Sequence, residues 1–207
     1  MRTLSRTLPN EFLLSMNKLN YELQQVRYPD DLALLHRWMH TDHVIPQWQL
    51  NKPELELHIF FEKMLADDHQ RLYIMLIDGQ PAGYAEIYEC KRDRIARYYS
   101  AEENDMGIHL LIGEKHFLGR GHLAPLLSML ADFIFSTSPT TTKIICEPDS
   151  KVEQFHRLSN GLGYEEQKKI KLPEKTASLF FFTRDRFYHS PIYNTLISND
   201  HQKLENT

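Results

Sequence analysis

Asp105-Met-Gly-Ile-His-Leu-Leu-Ile-Gly113, followed three residues on by Phe117-Leu-Gly-Arg-Gly-His122, decides how this chain is read. An apolar strand bearing one histidine, His109, runs into a glycine turn, and the turn opens a helix with leucines at 123, 126, 127 and 130. Glycine lets the backbone approach a ligand closely. The amides of a first helical turn have no partner within the helix and sit at the positive end of its dipole. The order therefore predicts an anion cradle suited to a pyrophosphate, beside a titratable base. Taken alone, Gly-x-Gly is also an ordinary strand-to-helix turn, so the surrounding elements carry the weight.

Working outward, residues 21–27 roughly alternate apolar and polar and predict a first strand. Pro29-Asp30-Asp31 predicts a helix start, with Leu32, Leu35, Trp38 and Met39 at helical spacing, and Pro53 precedes a second helix. Residues 71–77 and 83–90 read as strands joined by the turn Asp78-Gly79-Gln80-Pro81. After the 106–112 strand and the 121–135 helix come a strand at 143–147 and a helix at 152–162 stopped by Gly163, then strands at 164–171 and 178–183. The order β-α-α-β-β-β-α-β-α-β-β has no repeat or internal linker. Residues 1–18 are expected to be a leader, 19–188 one α/β domain and 189–207 a polar tail.

The 207 residues suit one domain, and 42% hydrophobic with 25% charged residues is ordinary for a core-forming protein. A net charge of −4 argues against wholesale nucleic-acid binding. Cys90 and Cys146 form no CxxC pattern, so neither a disulfide framework nor a zinc ribbon is expected. No apolar run approaches the ~20 residues of a membrane span. A cytoplasmic protein, monomeric or homodimeric, with a small-molecule partner is the expectation.

His109 is either a hydrogen-bonded structural residue or a base, and its ordinary pKa near ~6.5 suits proton removal at neutral pH. Asp149, in Glu147-Pro148-Asp149 at the end of the next strand, is either a helix cap or an orienting carboxylate. His36 and His40 share a helical face, with His43 close by, but no glutamate follows His36 and no fourth ligand is evident, so no metal is expected. Tyr84, Glu86 and Tyr88 share a strand face that could line a pocket with one anionic anchor for an ammonium group, with Trp38 and Trp48 nearby. Lys168, Lys169 and Lys171 read as a solvated strand edge.

These pieces together resemble the GNAT superfamily of acyl-CoA N-acyltransferases over residues 19–187. Within it they are most similar to the siderophore-biosynthesis acetyltransferases, the aerobactin-type N-hydroxylysine acetyltransferases and the mycobactin acyltransferase among them. The matching stretches are 35–39, Gly83-Tyr-Ala-Glu-Ile-Tyr88, 94–99, 105–113, Gly119-Arg-Gly121 and Glu147-Pro-Asp149. The chain departs from the pattern at His116, at Gln47 before Trp48, and at Val152, where the family often has asparagine. The resemblance implies a mixed, mostly antiparallel sheet of about seven strands with helices on both faces. It implies acetyl-CoA or another acyl-CoA as co-substrate, held by Leu110, Leu111, Ile112, Leu118, Gly119, Arg120, Gly121, His122 and Leu123. It implies His109 and Asp149 as the catalytic pair, with Trp38, Trp48, Tyr84, Glu86 and Tyr88 around an amine or N-hydroxyamine substrate. Two other readings stand beside it: an aminoglycoside 6′-type N-acetyltransferase, and a GNAT-fold protein that binds acyl-CoA without turnover.

Overall fold

The computed structural model describes residues 3–201, with side chains through Ser198. Eight strands, β1 (Glu11–Met16), β2 (Leu19–Gln25), β3 (Gln70–Ile77), β4 (Gln80–Glu89), β5 (Met106–Ile112), β6 (Lys143–Cys146), β7 (Tyr164–Lys171) and β8 (Thr176–Thr183), join in one sheet. Their order is β1-β2-β3-β4-β5-β6-β8-β7, and every pairing is antiparallel except β5 with β6. The helices are α1 (Leu32–Met39), α2 (Ile45–Trp48), α3 (Glu54–Ala66), α4 (Leu123–Thr137), α5 (Glu153–Leu162), α6 (Arg184–Tyr188) and α7 (Pro191–His201). The mixed, mostly antiparallel α/β architecture is the expected one, with one strand more than seven.

The extra strand lies where a leader was expected. β1 pairs with β2 across a turn at Asn17 and Lys18, both at positive φ (53° and 68°), the twist that a two-residue hairpin needs. Asp78 and Gly79 repeat that geometry between β3 and β4 (47° and 72°), as their sequence predicts. The expected polar tail is also structured through residue 201. α7 seats Ile192 against Gly161 and buries Leu196, and Tyr193 Oη donates to Asp132 at 3.1 Å. The rest of that tail, and residues 1–2, lie outside the described residues.

Period-two alternation sorts the strands onto two layers. Ala85, Ile87, Met106 and Ile108 face α4, whose Leu126, Leu127, Leu130 and Phe133 are fully buried. Tyr84 and Leu111 face the other way, onto α1 and α3 through Leu35, Trp38, Leu57 and Phe61. Tyr88 continues that second face over Ile145, Ala177 and Leu179. β7 forms one outer edge, with Glu165, Lys168, Lys169 and Lys171 exposed along it.

Close packing fixes Gly107. A Cβ there would lie 2.1 Å from Tyr88 Cζ and 2.6 Å from its hydroxyl. Tyr88 is buried and has nowhere to retreat, so Gly107→Ala costs about 1–3 kcal/mol of stability, the usual range for overpacking. The midpoint of urea unfolding measures it.

Candidate active site

The site exists because β5 and β6 part company. They pair only through Met106–Ile144 and Gly107–Ile145. β6 then ends, and Pro148 cannot extend a ladder. The chain leans instead onto β8, with Ser178 N–H donating to Pro148 O at 3.0 Å and Asp149 bridging to Ala177. On the far side of β5, Gly113 N–H donates to Ala82 O beside β4. Alternation therefore turns the polar backbone groups of Leu110 and Ile112 toward the opened side.

A cavity of about 830 Å³ runs through this opening. Its walls on the α4–α5 side include Leu118, Gly119, Gly121, His122, Leu123 and Phe155. On the other side Trp48, Leu50, Phe60 and Met64 of the α2–α3 region face it. His109, Glu86, Glu147 and Asp149 line it between the two.

His109 is held from both ends. Its Nδ1 lies 2.9 Å from Glu86 Oε2 and its Nε2 2.6 Å from Glu147 Oε1. β4–β5 register sets Glu86 directly opposite His109. Each carboxylate is backed by a buried tyrosine: Tyr84 Oη donates to Glu86 Oε1 and Tyr88 Oη to Glu147 Oε2, both at 3.1 Å. The result is a five-membered array with 30% of the His109 side chain open to solvent. Burial works against a charged imidazole, but the charge and hydrogen bond of Glu147, then those of Glu86, outweigh it and push the pKa up to about 10. Burial likewise would raise the Glu147 carboxyl, and the charge and hydrogen bond of His109 reverse that and hold it below its usual range. His109 is thus an imidazolium at neutral pH. The expectation of a base with an ordinary pKa is corrected: both ring nitrogens are committed to carboxylates, which hold the proton on the ring.

Asp149 lines the same cavity as His109. It does not cap α5, whose N-cap is Val152; its Oδ1 instead accepts from Lys151 N–H at 2.9 Å in a local turn. Of the expected acceptor residues, Glu86 and Trp48 line the cavity, and Trp48 packs edge-on to Tyr84 and His109. Trp38, Tyr84 and Tyr88 do not reach it. Tyr84 and Tyr88 act behind the carboxylates, while Trp38 is fully buried, donates from Nε1 to Glu114 Oε1 at 2.9 Å and packs under Gly113. Of the expected cofactor residues, all line the cavity except Arg120, which is exposed beside it. Glu147 was visible in the sequence only as a neighbour of Asp149. Its pairing with His109 spans 38 positions, and no local pattern signals it.

Gly119 and Gly121 sit at φ +70° and +84°, with nothing within 4 Å of where a Cβ would point. The backbone there is in the left-handed region, and the space beside it is open to a ligand. Gly121→Ala adds strain of roughly 1–2 kcal/mol. With the loop holding acetyl-CoA, as the resemblance implies, the expected result is a rise of about tenfold in the KM for acetyl-CoA, with a smaller change in kcat. Steady-state kinetics at saturating acceptor reads this split. Next to the loop, burial, then Arg120 and His116, lowers the pKa of His122, and its Nδ1 lies 3.0 Å from Tyr21 Oη.

Cys146 also lines the cavity, but burial, then Glu147, drives its thiol pKa well upward. A thiol kept protonated is a poor nucleophile. Among the described residues no group of three or more His, Cys, Asp or Glu could hold a metal ion. His36 and His40 stack on each other, and His43 bonds elsewhere. No helix among the described residues is long and apolar enough to cross a membrane.

A family model described as an acetyltransferase (GNAT) domain matches residues 27–172. The chain is 47% identical to an N-hydroxyputrescine acetyltransferase of Acinetobacter baumannii, over 91% of this chain and 89% of that protein. It is 29% identical to an N(6)-hydroxylysine O-acetyltransferase of Escherichia coli over 76% of this chain, spanning half the length of that relative. Among solved structures, an uncharacterised protein of Bacillus halodurans superposes with a TM-score of 0.86 at 34% identity, covering 91% of this chain and 97% of that one. The aminoglycoside acetyltransferase AAC(6')-Ib in complex with coenzyme A shares the fold, with a TM-score of 0.72 at 24% identity over 81% of this chain and 96% of that one.

Proposed function

Because the chain belongs to the GNAT acetyltransferase family, we propose that it moves an acetyl group from acetyl-coenzyme A to the hydroxylated nitrogen of an N-hydroxyalkylamine, in the making of hydroxamate siderophores. The observation that carries this reading is the 47% identity to an N-hydroxyputrescine acetyltransferase along nearly the whole of both chains. An acceptor of that kind brings a neutral hydroxylamine nitrogen and a distal ammonium. The paired carboxyl groups of Glu86 and Glu147 around His109 suit both.

The backbone amides from Leu118 to Leu123 would hold the pyrophosphate, where two positive-φ glycines leave the loop bare. The pantetheine arm would lie along the open edge of Leu110–Ile112, pairing as an added strand. The acceptor would enter from the Trp48 side. Its nitrogen lone pair attacks the thioester carbon, the C–S bond breaks, and the proton shed by nitrogen passes to the array. The departing thiolate takes a proton in turn. His109 keeps both carboxylates aligned and Glu147 ionised, so that Glu147 can act as acceptor of that proton without stranding a lone buried charge. Asp149 would orient the acceptor.

The test is thiol release from acetyl-CoA by the purified chain with N-hydroxyputrescine, N-hydroxylysine, N-hydroxyornithine, putrescine and kanamycin. N-hydroxyputrescine is expected to give the highest kcat/KM. No release above blank with any of the three hydroxylamines overturns the reading, and a preference for kanamycin favours the aminoglycoside alternative.

A further inference from the structure

Among the described residues, three lysine and arginine side chains line the cavity, and two of them are spent. Arg157 on α5 reaches Glu153 Oε2 at 2.5 Å. Arg94, between β4 and β5, holds both carboxylate oxygens of Glu174, one of them through Nη1 at 3.1 Å. The third, Lys175, sits half-buried in the turn from β7 to β8, where Leu172 N–H donates to its carbonyl at 2.9 Å. Its ammonium has no hydrogen bond or ion pair among the described residues. It stands close enough to Glu147 for its charge to help hold that carboxyl ionised. Asp149, which lines the cavity too, has Oδ1 bonded to Lys151 N–H and its other oxygen uncommitted among the described residues. Away from these charges the α2–α3 wall is apolar, with Trp48, Leu50, Phe60 and Met64.

We propose that Lys175 is a specificity-determining residue that admits acceptors carrying a carboxylate, the ω-N-hydroxy-α-amino acids, beside the bare N-hydroxydiamine. The inference rests on the N-hydroxyalkylamine reading and names the acceptor group that this end of the cavity selects. Such an amino acid ends in an ammonium and a carboxylate on one carbon. The uncommitted cation and the uncommitted carboxylate oxygen match that pair, Lys175 taking the carboxylate and Asp149 the ammonium. An N-hydroxydiamine offers only the ammonium, which Asp149 attracts and Lys175 repels. Arg94 does not substitute for Lys175, because Glu174 already fills its fork. Lys175 acts on the far end of the acceptor, away from the nitrogen that reacts, so its effect falls on KM more than on kcat.

Steady-state thiol release by the full chain with N-hydroxylysine, N-hydroxyornithine and N-hydroxyputrescine tests this. Lys175→Met keeps most of the stem and removes the charge. Its KM for both amino acids rises about tenfold, as loss of one charge-assisted contact predicts, with kcat nearly kept. Its kcat/KM for N-hydroxyputrescine moves the other way, up by about threefold, because a like charge has been withdrawn. Lys175→Arg keeps the wild-type preference. The opposite signs separate selection from a loss of packing, which lowers activity with all three acceptors together. A Lys175→Met variant that lowers all three alike, or changes none by more than about twofold, overturns the assignment. So does a wild type that uses N-hydroxyputrescine alone. Failure of all three hydroxylamines would instead overturn the reading of the reaction on which the inference rests.

Discussion

His109→Gln lowers kcat by about 10²- to 10⁴-fold with little change in the KM for acetyl-CoA. The glutamine spans a similar volume and can still meet one carboxylate, so a large loss isolates the charge and the paired hydrogen bonds to Glu86 and Glu147. The pH profile gives the sharper result. A histidine of ordinary pKa acting as base would lose half its activity near pH 6.5. Here the ring is already protonated at that pH, since the two carboxylates outweigh burial and bring it to about 10. Proton uptake falls to the array, through Glu147. The kcat of the wild type therefore shows no inflection near pH 6.5, because Glu147 is held below its usual range. A kcat that halves near pH 6.5, with His109→Gln removing that inflection, would show the imidazole working alone. A kcat within threefold of wild type in His109→Gln would remove the array from the chemistry altogether.

The same array ties stability to pH. The folded pKa of His109, about 10, lies above its ordinary value of 6.5, so between those limits the folded state holds a proton that the unfolded chain releases. The stability this supplies is whole below about pH 6.5 and is lost as pH rises through about 10, at no more than about 1.4 kcal/mol per pH unit. Thermal midpoints of the wild type should fall across pH 7, 8 and 9. In His109→Gln that alkaline loss is reduced. The variant also reverses the behaviour of Glu147: with no imidazolium to oppose it, burial raises that carboxyl, and the folded state then gains stability as pH falls toward 5. Comparing the slopes of the two proteins cancels the lysines and tyrosines they share. Parallel slopes from pH 5 to 9 would contradict the raised His109 pKa.

The order of elements was legible because each left a local mark. The apolar run of β5, the glycines at 119 and 121, and the leucine spacing of α4 lie within a few residues of one another. Asp78-Gly79 announces its hairpin, and Gly163 its helix end, for the same reason. β1 escaped because its turn is made by Asn17 and Lys18 without glycine, and because Leu13 points outward where alternation would want a polar residue. α7 escaped because a short helix with polar ends gains its stability from docking on α5 and β1, which no window of sequence contains. The chemistry was half legible. His109 could be placed near the glycine loop, and Glu86 on a strand face. That the two stand directly opposite needs the register of β4 on β5, and that Glu147 closes the other side needs the one short parallel contact in the sheet. The ionisation of His109 is a property of that assembly, so reading its residue type alone gave the opposite charge. Trp38, Tyr84 and Tyr88 share the pattern of pocket-lining aromatics, yet burial assigns them to the layer behind.

The exposed lysines and Glu165 of β7 bear on how the protein behaves in concentrated solution. A bare outer strand is a template on which a neighbouring chain can add its own. Adding one here would crowd Lys168, Lys169 and Lys171 against the newcomer and strip water from them. Lateral growth of the sheet from that border is therefore costly, and the protein is protected there against the fibrous aggregation that open sheets invite.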